Sequence, residues 1–457
     1  MNSLQERLKR FVALQPIWFF TIYASLAAFF TYSCMYAFRK PFTIAAFDGY
    51  TLFGVHYKIW LITAQILGYT LSKFIGIKFV SEMKSAKRAI SIVVLVGIAE
   101  LSLLLVYLVP YPYNFVFMFF NGLPLGIIWG LVFSYLEGRQ LTELLGAVLS
   151  ASFIIASGVV KSVGKFLMVN YHTSEFAMPF LTGALFLVPL VISVYLLDSI
   201  PPPTSKDIAL RTKREPMDKK QRKAFLKEFS LGLILIILAY TILTIFREIR
   251  DNFANEIWIS LGIDKYPSIF TIAELPVAFF TLFVLSLLIF IKSNIKALQA
   301  ILGIILFGFL LIIISSVLFK FGFLNGITWM ILVGTGIYLG YVPFNAFLYE
   351  RLISAFKYTS NIGFVMYVSD AFGYLGSLSI VFYKNFFSPT VSWMDFFIQV
   401  CIWVSIAGIV LILLSIIYFT KKHHLISLNQ PINNGDKINI TTRKSLFAFN
   451  TRSTFNK

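Results

Sequence analysis

"IPPPTSKDIALRTKREPMDKKQRKAFLKE", residues 200–228, is the one long polar interruption in the interior of an otherwise apolar chain, and its place decides the fold. On either side of it lie about six runs of roughly 20 apolar residues, the helix length that crosses a hydrocarbon core of about 30 Å. The runs fall at 16–46, 57–80, 89–109, 113–136, 144–169 and 177–199 before the interruption, and at 229–250, 266–291, 297–319, 326–349, 359–383 and 394–419 after it. Numbered in order, these are spans 1 to 12. A polar hinge between two equal sets of spans is the pattern of a two-fold repeat.

Composition agrees. With 58% hydrophobic and 13% charged residues among 457 and a mean hydropathy of +0.81, the chain is too apolar for an ordinary soluble domain. Hydrocarbon offers no partner to a backbone amide, so only helices or closed barrels cross it, and runs this continuously apolar exclude the alternation of barrel strands. The fold class expected is an all-α polytopic membrane protein of about 12 transmembrane helices in two pseudo-symmetric six-helix bundles. The predicted domains are a cytoplasmic N-terminus at 1–15, a first bundle at 16–199, a basic cytoplasmic linker at 200–228, a second bundle at 229–420 and a disordered cytoplasmic tail at 421–457.

The formal net charge of +18 invites a nucleic-acid reading, but the cations are gathered on one face of an even-numbered bundle. "ERLKR" precedes span 1, Lys84, Lys87 and Arg88 follow span 2, the linker precedes span 7, Lys292 and Lys296 follow span 8, and "KKHH" follows span 12. The positive-inside rule makes that face cytoplasmic, so both termini are expected inside a bacterial inner membrane, with the basic loops attracting anionic lipid and no nucleic-acid partner. The sequon at Asn439 then lies on the wrong side for glycosylation. Cys34 and Cys401 fall within spans and make no disulfide or metal framework. The basic, then apolar N-terminus lacks a small-residue cleavage site and reads as a retained first helix.

Ionisable residues inside spans cost several kcal/mol unless they face a partner or a cavity, so each needs a reason. Arg39 and Lys40 stand in span 1, Lys73 in span 2, Lys161 and Lys165 in span 5, and Arg247 and Arg250 in span 7. The acids are Glu100, Glu248, Asp251, Glu274 and Asp370. Snorkelling competes for Lys73, although Lys78 already fills the interfacial role. Lys161 and Lys165, four apart, share a helix face at greater depth. Arg247, Glu248, Arg250 and Asp251 pair among themselves or cap span 7, or else face a cavity. Glu100 reads as a paired interior residue or bundle contact outside the site. Asp370 and Glu274 balance the lysines through breakable salt bridges or carry a proton.

Span 1 is read as continuing through "PFTIAAF", which leaves Arg39 and Lys40 within the membrane's outer half. The halves echo each other: Tyr32, Phe38 and Arg39 have the spacing of Tyr240, Phe246 and Arg247, and "SYLEGR" after span 4 parallels "FLYER" after span 10. Guanidiniums at equivalent positions of two facing helices would hold a dianion by forked hydrogen bonds. Tyr32, Tyr36, Tyr338, Tyr341 and Asn345 are candidate orienting groups against a packing alternative. Gly122, Gly126 and Gly130, with Gly373 and Gly376, permit close helix approach, and Pro124, Pro276 and Pro343 bend their helices.

These residues resemble the major facilitator superfamily, and within it the organophosphate:phosphate antiporters. The likeness lies in "MYAFRKPF", "GYTLSKFIGIKFVSEMKSAKR", "FFNGLPLGIIWG" and "DAFGYLGS" and spans both halves. It implies a substrate-binding arginine at Arg39, its symmetry mate at Arg247 and a cavity lysine at Lys73. The chain departs from that branch in having no histidine near Ile155, where Lys161 and Lys165 stand instead, and in placing Glu274 closer to Pro276. It also resembles an uncharacterised bacterial family of such transporters.

The expected activity is secondary transport of a small anionic solute, a phosphate ester or inorganic phosphate, by alternating access, with no cofactor and a monomeric state. Alternatives are a proton-coupled carrier of another organic anion, using Asp370 or Glu274, and a non-transporting anion sensor. An enzyme is not expected, since His56, His172, His423 and His424 all lie in loops or the tail and no nucleophile, base or metal set is visible in the spans.

Overall fold

The computed structural model describes residues 2–139, 141–204, 207, 219–263, 266–356, 362–388 and 390–428. Most of the linker, the sequon at Asn439 and the tail beyond 428 lie outside these residues. The first half comprises α1 (Asn2–Ala13), α2 (Ile17–Tyr36), α3 (Tyr57–Glu82), α4 (Arg88–Leu108), α5 (Val116–Phe133), α6 (Thr142–Tyr171) and α7 (Met178–Asp198). The second comprises α8 (Lys219–Asn252), the short α9 (Ala254–Ser260), α10 (Ile269–Ser286), α11 (Asn294–Lys320), α12 (Gly326–Ala346), α13 (Leu348–Ala355), α14 (Ile362–Phe387) and α15 (Trp393–Leu428). A two-residue ribbon, β1 (Thr51–Leu52) on β2 (Val55–His56), is the only sheet among the described residues.

Eleven of these helices are long and apolar enough to cross a membrane. The helix matching span 2, α3, is 26 residues long and less apolar because Lys58, Gln65 and Lys73 interrupt it, yet it packs closely along α5. The chain is thus an all-α polytopic membrane protein.

Several boundaries differ from the sequence expectation. Span 1 is not one helix to residue 46: α2 stops at Tyr36, residues 37–40 form turns, and Pro41–Ile44 is a separate 3-10 turn, all of it buried. Pro41 has no N–H to continue the ladder, and its ring would strike the carbonyl of Ala37. Span 10 breaks at Phe347 into α12 and α13, four residues past Pro343, and span 8 ends in the 3-10 turn Leu287–Phe290. The tail begins helical, with 421–428 forming the last turns of α15, and the end of the linker from Lys219 belongs to α8.

The chain divides into two units, Met1–Ile416 and Ile417–Lys457. Within the first unit, α3 and α4 pack on α5, α2 on α6 and α7, and α4 on α7; in the second half α10 and α11 pack on α12, and α8 on α12 and α14. The two halves meet where α6 packs on α10 and α12, and where α3 packs on α14.

Helix association in lipid depends on close packing, since lipid tails are as apolar as leucine. At the α3–α5 seam the backbones touch: a Cβ on Gly122 would fall on the Gln65 carbonyl, one on Gly68 would fall on the Phe119 carbonyl, and one on Gly126 would lie 2.7 Å from Ser72 Cβ. Gly97 of α4, by contrast, has nothing within 4 Å. Gly122→Val is therefore expected to cost about 1–3 kcal/mol by overpacking, whereas Gly97→Val leaves the thermal midpoint of the detergent-purified protein near wild type. Equal midpoints for the two variants would contradict the packing described for this seam.

Candidate functional site

The break after α2 leaves two carbonyls without helical partners, and two amides take them. Asn121 of α5 donates through Nδ2 to Phe38 O at 2.9 Å and to Ala99 O at 3.1 Å. Gln65 of α3 donates through Nε2 to Arg39 O at 3.0 Å and to Asn121 Oδ1 at 2.7 Å. An unsatisfied backbone oxygen away from water costs several kcal/mol, so these two side chains hold the turn that bears Arg39 and Lys40. The sequence reading missed both, though polar amides inside apolar spans were the signal.

The cations converge on carboxylates of the last two turns of α8. Glu248 Oε1 lies 2.6 Å from Arg247 Nη2 and 3.7 Å from Arg39 Nη2, and Glu248 Oε2 lies 3.4 Å from Lys40 Nζ. Asp251 takes Lys40 at 2.5 Å, and its other oxygen takes Lys161 and the Ser157 hydroxyl. Asn252 joins them, accepting from Lys40 Nζ at 2.8 Å and donating to Glu248 Oε2 at 3.1 Å. Arg250 turns away from this cluster to Glu274 of α10, at 2.6 Å, and donates to Met330 O. So of the four charged residues read as a self-paired set, only Arg247 and Glu248 pair with each other; Asp251 binds lysines of the first half.

Arg39 and Arg247 occupy matching places. Each guanidinium lies against the Tyr374 ring, at 5.7 and 5.6 Å, while Arg39 also stacks on Tyr69 at 3.9 Å and Arg247 on Tyr341 at 4.3 Å. Cation–π contact of this kind is worth about 2 kcal/mol or more when desolvated. Arg247 also donates to the Tyr374 hydroxyl at 2.9 Å. Arg39 is less well held: its one ion pair is beyond hydrogen-bond distance, and its buried Nε has no partner among the described residues.

The remaining expected residues are distributed around this centre. Lys73 is 4% exposed and bonds Asp370 of α14 at 2.9 Å, so it points inward, away from the headgroups that snorkelling would need. Asp370 also accepts from Tyr240, whose hydroxyl lies 2.9 Å from that of Tyr341. Lys161 and Lys165 share a face, but Lys165 is half-buried and among the described residues meets Asn255 Oδ1, at 3.4 Å, and no carboxylate. Tyr32 and Tyr36 stack edge-to-face at 5.6 Å beside the cations. Asn345 bonds back to Tyr341 O of its own helix at 3.3 Å, so its amide nitrogen is spent locally. Of the two readings of Glu100, pairing fails, since neither carboxyl oxygen has a partner among the described residues, while the bundle contact holds, since the carboxyl group lies against Gly183 of α7.

No curated protein matches the sequence. A crystal structure of a D-xylose-proton symporter matches the fold with a TM-score of 0.58 at 13% identity, covering 88% of this chain and 97% of that one. The chain thus shares its fold with that symporter, and the antiporter branch finds no support in that likeness. The model of a family of unknown function (DUF5690) matches residues 41–422, and the chain belongs to that family.

The cluster makes a stability prediction. Asp251→Asn strands Lys161 in the interior, leaves Lys40 only its longer pair with Glu248, and is expected to lower stability by about 3–5 kcal/mol, the usual cost of breaking a buried ion pair from one side. Adding Lys161→Met to Asp251→Asn recovers part of that loss in thermal melts; a double variant no more stable than the single one would contradict the pairing.

Proposed function

We propose that this member of the family is a secondary active transporter that carries a small anionic solute by alternating access of its two halves, with Arg39 and Arg247 as the principal contacts. The observation that carries this reading is the charge balance of the buried cluster. Arg39, Lys40, Lys73, Lys161, Arg247 and Arg250, none more than 5% exposed, face Glu248, Asp251, Glu274 and Asp370, so that among the described residues of this cluster six cations share four carboxylates. Uncompensated cations in a membrane interior are costly, and an anion bridging the two guanidiniums would offset that cost. Arg39, whose ion pair is the longest of the six and whose Nε has no partner among the described residues, is the group best placed to take one.

The fork geometry of two arginines suits a phosphate or phosphate ester, the class implied by the antiporter resemblance. Lys73 and Lys161 are then framework cations that fix α3 and α6 to the opposite half, Arg250 ties α8 to α10 and α12 within the second half, and Tyr32, Tyr36, Tyr69 and Tyr374 form the apolar and hydroxyl lining. The similarity to a proton symporter supports the transport reading at the level of fold. We place the chain in a bacterial inner membrane as a monomer, with both termini on the cytoplasmic side where the basic loops gather.

Counterflow in proteoliposomes tests the proposal, with inorganic phosphate and a panel of phosphate esters, phosphonates and carboxylates as solutes. Wild type is expected to exchange at least one anion. Arg39→Ala and Arg247→Ala each reduce that exchange at least about tenfold, the loss of one charge-assisted hydrogen bond of about 1.5–3 kcal/mol. Unchanged exchange in both variants, or exchange of neutral solutes alone, would remove the site; binding without exchange would favour the sensor reading.

A further inference from the structure

Glu100 stands twelve residues into α4 with its carboxylate turned to the α4–α7 seam. It is 7% exposed, and both oxygens lack any hydrogen-bond or ion partner among the described residues. The other carboxylates described in the cation cluster are all paired: Glu248 and Asp251 with Lys40, Glu274 with Arg250, and Asp370 with Lys73. The space it occupies exists because residue 183 of α7 is glycine: a Cβ there would fall on Glu100 Oε2 and within 3.0 Å of the Phe38 ring.

The surrounding elements supply no counter-charge. The α5 helix has no titratable side chain. On α7, Tyr195 and Asp198 lie more than three turns from Gly183, and Asp198 is engaged by Gln5 and Tyr135. On α4 itself Arg88 and Tyr107 stand near the ends, Arg88 bonding the Ser134 carbonyl. From α2 and its turn come Tyr23, Tyr32, Cys34, Tyr36, Arg39 and Lys40, with the two cations committed to Glu248 and Asp251. An ionised carboxylate in such a place has nothing to offset its desolvation, whereas the neutral acid is accommodated.

We propose that Glu100 is a proton-binding site linked to the Phe38–Lys40 turn, so that the transport read above is proton-coupled. Two contacts join them. The Phe38 ring shares the Gly183 notch with the carboxyl group, and Asn121 ties Ala99 O, next to Glu100, to Phe38 O, next to Arg39. Release of the proton needs water or a cation beside the carboxylate, which requires the Phe38 ring to leave the notch and carries the Arg39 turn with it. By linkage, whatever moves that turn changes the proton affinity of Glu100 by the same factor. The step is a proton transfer between the carboxylate and water, with no other bond made or broken.

The inference rests on the transport reading only for the word coupled, and its first test does not need transport. Infrared difference spectra of the purified full chain, between mildly acidic and alkaline buffer, are expected to show a carboxylic-acid C=O band that Glu100→Gln lacks and that Asp370→Asn keeps. Absence of the band in wild type, or its persistence in Glu100→Gln, overturns the proposal. Should Glu100→Gln not fold, Glu100→Asp serves: it keeps the acid in a new position, so the band shifts, and an unshifted band overturns the assignment. In proteoliposomes with labelled inorganic phosphate as probe, Glu100→Gln retains counterflow and loses accumulation driven by an imposed acid-outside gradient; equal accumulation in variant and wild type also overturns it. Failure of wild-type counterflow with the full anion panel strikes the transport reading and leaves the infrared result to decide the proton site.

Discussion

Two carboxylates one turn apart on α8, Glu248 and Asp251, hold the centre of this protein together. They draw Arg39, Lys40 and Lys161 from the first half and Arg247 from the second onto a single patch. Remove that patch and four cations would repel one another in a medium that screens charge poorly. With it, the first and second halves are joined by ion pairs at their middle, and the seams on either side add a polar contact each, Ser162 to Thr271 at 2.7 Å where α6 meets α10 and Lys73 to Asp370 at 2.9 Å where α3 meets α14. A joint made of ion pairs can be dissolved by a competing ion, which a purely apolar joint cannot.

The break in the first spanning helix follows from the same need. A continuous helix would keep the Phe38 and Arg39 carbonyls in its own ladder and present Arg39 only as a side chain on a cylinder. Pro41 ends the ladder, and Gln65 and Asn121 take over the freed oxygens. The backbone of the turn is thereby tied to α3 and α5, and through Ala99 to α4. Irregular backbone at membrane depth is tolerated only where protein or a polar cavity satisfies it, and here Gln65 of α3 and Asn121 of α5 do so.

Much of this was legible in the residues. Length, mean hydropathy and the polar stretch at 200–228 were enough for an all-α polytopic fold, because the cost of bare amides in hydrocarbon leaves few choices. The shared spacing of Tyr32, Phe38 and Arg39 with Tyr240, Phe246 and Arg247 pointed to two arginines that the structure brings onto the same tyrosine, Tyr374. What was not legible was pairing. Hydrophobic runs do not reveal which carboxylate a lysine will meet across the bundle, so the partnership of Asp251 with Lys40 and Lys161, and the lack of a partner for Glu100 among the described residues, needed coordinates. Nor does apolarity distinguish a helix from a buried turn, which is why the span through residue 46 read as continuous although Pro41 stood in view.

Arg39 is a buried cation held by Glu248 only at 3.7 Å, and the solute is proposed as its second counter-ion. Thermal denaturation of the purified protein against added solutes addresses this directly, since a ligand that binds only the folded state raises the midpoint by mass action. Phosphate or a small phosphate ester is predicted to stabilise wild type and leave Arg39→Ala unmoved, with a neutral sugar inert toward both. Stabilisation by the neutral sugar alone, or equal anion stabilisation of wild type and Arg39→Ala, would contradict it.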